Sequence, residues 1–178
     1  CLNLKKIVIP ASVESIEEHA FYNCPEVISI VVDKNNTDYD SRNGCNAIIY
    51  TSDSKLILGC STTIIPQDIE IIGEFAFKNS RNLQRIVVPE GVSCIEDGAF
   101  EHCSSLKEVV LPTTLESFIG GSNFGYCTSL ESITIPSGVT SIGFRAFSDC
   151  SSLESITLPD SVTSIGECAF DGCSSLQS

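Results

Sequence analysis

The sequence predicts a β-solenoid, a stack of coils whose short strands run parallel from one coil to the next. Three observations lead there: prolines recur at a fixed spacing, the same apolar slots recur behind each of them, and no single repeat carries enough apolar side chain to bury itself. Prolines at 10, 66, 89, 112, 136 and 159 stand 56, 23, 23, 24 and 23 residues apart. A fixed period of this length marks stacked supersecondary units that share one continuous core. Roughly seven coils spaced by ~4.8 Å would run ~35 Å.

The unit that begins at Pro136 shows the scheme. Val139 stands at +3, Ile142 at +6, Ala146-Phe147 at +10 and +11, Cys150 at +14 and Leu153 at +17, followed by Ile156 and Leu158. The Pro89 and Pro159 units repeat it, and the Pro66 unit departs only in having Ser80 in place of Cys. The Pro112 unit has one extra residue around Ile119 to Asn123 before Phe124, Cys127 and Leu130 resume the pattern. Leu-x-x-Ile-x-Leu ends in period-2 alternation, the mark of a strand with one buried face. Proline closes that strand, because it has no amide hydrogen for a ladder. Val-x-x-Ile then makes a second extended piece, and Ala-Phe-x-x-Cys fits a single helical turn that swings the chain back.

One unit is atypical. Asp33 stands where proline is due, and the segment 33–65 is polar as far as Gly44 before reading Asn46-Ala-Ile-Ile-Tyr-Thr-Ser-Asp-Ser-Lys-Leu-Ile-Leu58. Two apolar runs around Ser52 to Ser54 predict a β-hairpin that projects from the array or covers part of it. Cys1, Leu4, Ile7 and Ile9 occupy the +14, +17, +20 and +22 slots, and Ser178 falls in mid-repeat. With no Met in the chain, residues 1–178 read as one solenoid domain taken from a longer array.

Composition narrows the function. Of the 178 residues 42% are hydrophobic, which supports a packed core and argues against disorder. Lys and Arg number 10 against 23 Asp and Glu, and a net charge of −13 repels nucleic acid and anionic membranes. No apolar run approaches the ~20 residues of a transmembrane helix.

The stretch Leu153 to Cys173, Leu-x-x-Ile-x-Leu-Pro-x-x-Val-x-x-Ile-x-x-x-Ala-Phe-x-x-Cys, recurs in register through nearly the whole chain. In this it resembles the BspA-like leucine-rich repeat proteins, and the long unit with Asn46-Ala-Ile-Ile and Leu56-Ile-Leu-Gly-Cys60 is similar to variant units of that family. The resemblance implies a right-handed leucine-rich-repeat superhelix of short parallel strands and helical turns. It also implies a secreted or surface-anchored bacterial protein, some members being adhesins for host matrix proteins or other cells. It names no ligand.

The cysteines invite a chemical reading. Cys1, Cys24, Cys103, Cys127, Cys150 and Cys173 share one slot, so they form a file, and a single file cannot converge four ligands on zinc. Neighbouring parallel Cβ vectors also stay farther apart than a disulfide wants. Buried free thiols are expected. Cys45 and Cys60 differ, since a two-residue turn at Ser52-Asp53 would set them opposite each other, which leaves a disulfide or two free thiols open there. Cys94 and Cys168 fall at variable slots. Cys1 also admits a lipidated N-terminus, against which its 23-residue spacing to Cys24 counts.

Catalysis has little to work with. His19 and His102 lie several coils apart, no nucleophile elbow or phosphate cradle is present, and no enzyme, cofactor or metal is expected. The oxygen-rich Asp33 to Asp40 lacks the Gly and Glu of an EF-hand, having Asp38 and Gly44 in those places. What remains is surface. The outward slots of the leading strands are Lys6, Val8, Ser29, Val31, Arg85, Val87, Glu108, Val110, Ser132, Thr134, Ser155 and Thr157, an extended face for a protein or glycan ligand. Exposed strands favour β-branched residues on propensity alone. The expected function is a non-enzymatic adhesion module at the bacterial surface, monomeric, with a stalk or a targeting module as the alternatives. The hairpin unit is a second candidate surface.

Overall fold

The computed structural model describes residues 1–17, 19–118 and 120–177. Ile119, named above beside the extra residue, and Ser178 lie outside them. The chain winds through about seven turns of a β-solenoid. Strands β1 (Lys6–Ile9) and β2 (Ser29–Val32) pair in parallel, with Ile7 beside Ile30 and Val8 beside Val31. The long unit follows with β3 (Tyr39–Asp40), a 3-10 turn at Arg42–Gly44, β4 (Ile48–Tyr50) and β5 (Lys55–Leu58). The regular coils then supply β6 (Ile71–Ile72), β7 (Arg85–Val87), β8 (Cys94–Ile95), β9 (Glu108–Val110) and β10 (Ser117–Phe118). They end with β11 (Ser132–Thr134), β12 (Ser141–Ile142), β13 (Ser155–Thr157) and β14 (Ser164–Ile165).

Two rows of strands result. The row just before each proline holds β1, β2, β7, β9, β11 and β13, and the row just after it holds β6, β8, β10, β12 and β14. Pairing between regular coils is parallel and follows the period, with Arg85 beside Glu108 and Ile71 beside Cys94. Ile86 and Val109 point inward while their neighbours face solvent.

The third side of each coil is not helical. Ala76, Lys78 and Ser80 donate their N–H groups to the carbonyls of Gly73, Phe75 and Phe77, a chain of overlapping tight turns. Two residues per turn stand in the left-handed region, at +9 and +13: His19 and Asn23, Phe75 and Asn79, Gly98 and His102, Arg145 and Asp149, Cys168 and Gly172. These inversions aim alternate N–H groups along the array, so that Phe75, Phe77 and Asn79 donate to Asp97, Ala99 and Glu101 of the next coil. A helix would use those donors internally. The turn side thereby gains its own inter-coil ladder.

Behind it lies the aromatic spine. Phe77, Phe100, Phe124, Phe147 and Phe170 stack with centroids 5.1 to 5.6 Å apart. Beside the spine runs the thiol file. Cys103, Cys127, Cys150 and Cys173 donate to the carbonyls of Phe77, Phe100, Phe124 and Phe147 at 3.1 to 3.2 Å, which turns a small apolar residue into a coil-to-coil link.

The hairpin neither projects nor covers. Asp33 takes the proline slot, since Asn36 N–H bonds to it as Val13 bonds to Pro10, and Tyr39 fills the +6 slot. From there β3, β4 and β5 run antiparallel and β5 joins β6 in parallel, giving one six-stranded sheet with β8 and β10. Ile48, Ile49 and Leu56 are fully buried, so both runs belong to the wall. Tyr50 pairs with Lys55, leaving Thr51 to Ser54 as the connection. An irregularity between Ile48 and Ile49 shifts Ile48 opposite Leu58, which takes Cys45 out of register with Cys60. Both are buried free thiols, in separate apolar clusters.

Gly59 carries the chain across the start of the spine. A Cβ there would stand 2.2 Å from Phe77 Cε1, and the ring is locked against Phe100. Gly59→Ala is expected to cost about 1–3 kcal/mol by overpacking, read from the urea midpoint; an unchanged midpoint would show that the Phe77 ring gives way.

Candidate interaction surfaces

Register brings most of the outward residues together in adjoining pairs: Lys6 with Ser29, Val8 with Val31, Arg85 with Glu108, Val87 with Val110, Ser132 with Ser155, Thr134 with Thr157. Ser29 is half-buried and the others are exposed. One member of the file was not legible from the repeat scheme. Ile64, two residues before Pro66 as Val87 is before Pro89, is 77% exposed, against Val8 56%, Val31 43%, Val87 44% and Val110 39%. The signal was there: Thr62-Thr-Ile-Ile65 precedes Pro66 as the leading strands of the regular coils precede their prolines.

The face is segmented. β1 and β2, β7 and β9, and β11 and β13 form separate ladders. The break between β9 and β11 falls at the 24-residue unit and leaves a shallow depression lined by Val110, Thr113, Ser132 and Thr134. Arg85 and Glu108 form an exposed ion pair at 2.8 Å, so this strip is locally neutral.

A second feature lies on the turn side. The long unit adds strands to one wall but has no Ala-Phe turn of its own, which parts the turn at 19–23 from the turn at 73–80. The gap is a cavity of about 160 Å³, floored by Lys55, Ile57 and Leu58. His19, Tyr22 and Phe75 meet across it, with centroids 5.3 to 6.0 Å apart. Lys78 Nζ lies 4.8 Å from the Tyr22 ring and 4.4 Å from the Phe75 ring, and it pairs with Glu101. Burial opposes its charge, but the Glu101 carboxylate and the Tyr22 hydroxyl outweigh burial and raise its pKa.

The remaining candidates fall into structural roles. His19 belongs to that cleft, whereas His102 stacks on Tyr126 at 4.3 Å, with its pKa lowered chiefly by burial. In the oxygen-rich loop Asp33 accepts from Asn35, and Asn36 bridges Pro10, Val13, Asp38 and Tyr39. Asp40 holds Arg42. Among the described residues no three His, Cys, Asp or Glu side chains gather as a metal cluster. The amino group of Cys1 reaches the Asn23 carbonyl at 3.2 Å and Cys24 Sγ at 3.6 Å, in line with its place in the file. No helix among the described residues is long and apolar enough to cross a membrane.

Parallel strands recurring every 23 residues, inward Leu and Ile, and a phenylalanine spine define a leucine-rich-repeat solenoid. More narrowly, the chain belongs to the BspA-type leucine-rich-repeat family: six copies of the BspA type leucine rich repeat region match residues 1–50 and 58–177. The unmatched residues hold the hairpin connection. A leucine-rich cell surface protein of Faecalibacterium prausnitzii A2-165 superposes with a TM-score of 0.88 at 32% identity, over 98% of this chain and 47% of that one. The T. pallidum leucine-rich repeat protein gives 0.60 at 31% identity, over 72% and 60%. The pneumococcal vaccine antigen PcpA shares the fold, with 0.82 at 22% identity over 98% and 44%. The chain therefore spans less than two thirds of each of these structures. No curated protein matches closely.

Proposed function

We propose that this chain is a contact module of a bacterial surface or secreted protein, and that it grips a protein ligand with the leading-strand face between β1 and β9. The observation that carries this reading is the file Val8, Val31, Ile64, Val87 and Val110. Five β-branched apolar side chains stand exposed at the slot two residues before the proline position, and in the later coils that slot passes to Thr134 and Thr157. Strand propensity accounts for β-branching but not for the change from Val to Thr along one face. An apolar row with a polar continuation suits a partner's apolar ridge. The neighbouring solenoid described as a cell surface protein supports the location.

The test is binding to immobilised host matrix proteins and mucin at low and physiological salt. Saturable binding that persists in salt and falls about tenfold or more in Ile64→Asp and Val87→Asp is expected, since each change sets a charge inside the contact. Thr157→Asp should leave it unaltered. Absence of binding to every surface would favour the spacer reading, in which the coils merely hold another domain at a distance.

A further inference from the structure

We propose that the cleft between the turns at 19–23 and 73–78 is a binding site for one neutral sugar ring at the end of a glycan chain. This is independent of the strand face, which lies on another side of the coils. The cleft lies where the long unit has no Ala-Phe turn, so the regular coils do not repeat it.

Its chemistry selects the ligand. Tyr22 is 47% exposed and Phe75 partly so, which gives aromatic surface at the mouth for the C–H face of a pyranose. The polar lining can meet hydroxyls from both sides: the Glu17 and Glu74 carboxylates accept, while Lys55 and Asn23 donate. Both lysines of the lining are already matched. Lys55 pairs with Glu96 and Lys78 with Glu101, so an anionic ligand finds neither lysine of the lining unpaired. A cationic ligand meets the Lys78 ammonium already lying over the two rings. A purely apolar group would strip water from Glu17 and Glu74 without replacing their hydrogen bonds. A neutral polyol with one apolar face satisfies all of these conditions. At about 160 Å³ the cavity suits a single ring better than an extended oligosaccharide.

The platform is also built in advance. Phe75 holds φ 54°, a backbone setting that bulky residues rarely adopt, and its ring occupies the space where a side chain on Gly98 would stand, with Phe75 Cε1 at 2.3 Å from a Cβ there. Lys78, clamped by Glu101 from the next coil, fixes the rings from below. A ligand therefore meets aromatic surfaces that need little ordering, which lowers the cost of binding.

The experiment is an NMR titration of the whole chain with a panel of methyl glycosides of glucose, galactose, mannose and N-acetylglucosamine, alongside N-acetyltyrosine amide and inorganic phosphate. The expected result is saturable shifts confined to residues around 19–23, 55–58 and 73–78 for at least one glycoside, with a millimolar dissociation constant. Tyr22→Ala should weaken that binding about tenfold, the worth of one aromatic contact. Phe75→Gly should weaken it as well while easing the backbone at that position, which separates loss of the platform from loss of fold. Val87→Asp should have no effect, so failure here and failure of the strand face are read separately. The proposal is overturned if no glycoside shifts the cleft, if only the tyrosine amide or phosphate does so, or if Tyr22→Ala binds as well as the parent.

Discussion

Phe124→Ala is expected to remove about 3–5 kcal/mol of stability, the largest loss of any single truncation in the chain. Phe124 is fully buried. Its ring stacks on Phe100 at 5.3 Å and on Phe147 at 5.4 Å, and meets the edge of Phe118 at 5.9 Å. Truncation leaves a cavity between rings that cannot easily close up, because the turn-side bonds of Phe100 N–H to Asn123 and Phe124 N–H to Ala146, with the β8–β10 pair on one side and the β11–β13 pair on the other, hold the coils apart. Phe170→Ala is the informative control. Phe170 is half-buried and stacks on Phe147 at 5.6 Å, so it should cost roughly half as much. Urea unfolding of both variants checks this, with attention to the shape of the curve. In a solenoid each coil depends on its neighbours, so a weakened middle coil should also broaden the transition or divide it in two. Equal losses at the two positions would mean that stability does not pass along the spine.

Much of this architecture was legible in the residues, and the reasons are local. A 23-residue slot pattern determines which side chains stack, so Leu, Ile, Phe and Cys could be placed in their files without coordinates. The hairpin was legible too, since two apolar runs around Ser52 to Ser54 have few other uses. Its integration into the wall was not, because burial of Ile48, Ile49 and Leu56 depends on what lies beside them. The one-residue shift that sets Ile48 opposite Leu58 has no sequence mark either. The helical reading of Ala-Phe-x-x-Cys failed for a physical reason: apolar residues three and four apart suit a helix and a run of tight turns equally well. Asn23, Asn79, Gly98, Asp149 and Gly172 at recurrent slots were the available clue, being residues that tolerate left-handed backbone. The aromatic cleft has no mark in the repeat pattern, because it arises where a turn is missing.

Raising the pH should unfold this protein through its thiols. Burial, the largest influence on each, pushes Cys103 and Cys150 up to about 12 from an ordinary 9.0 and holds Cys127 well above that value. The folded pKa is raised, so the folded state keeps protons that the unfolded chain releases. The stabilising contribution is therefore complete below the unfolded pKa near 9 and is lost as pH rises towards 12. Above pH 9 each buried thiol should steepen the fall by about 1.4 kcal/mol per pH unit, and three together by about 4 kcal/mol. Unfolding free energies measured by urea at pH 8, 9, 10 and 11 provide the slope. Cys127→Ala should be less stable than the parent at pH 8, having lost its bond to the Phe100 carbonyl at 3.2 Å, yet its slope should be shallower by one thiol's share. The two lines converge as pH rises. Alkylation gives a second readout on the same cause. Iodoacetamide at pH 8 should modify exposed Cys1 quickly and leave Cys103, Cys127 and Cys150 intact in the folded protein, because only thiolate reacts and these thiols are both buried and protonated. Parallel slopes in parent and variant, or rapid labelling of Cys127, would show that the file opens to solvent and that its protons are not held by the fold.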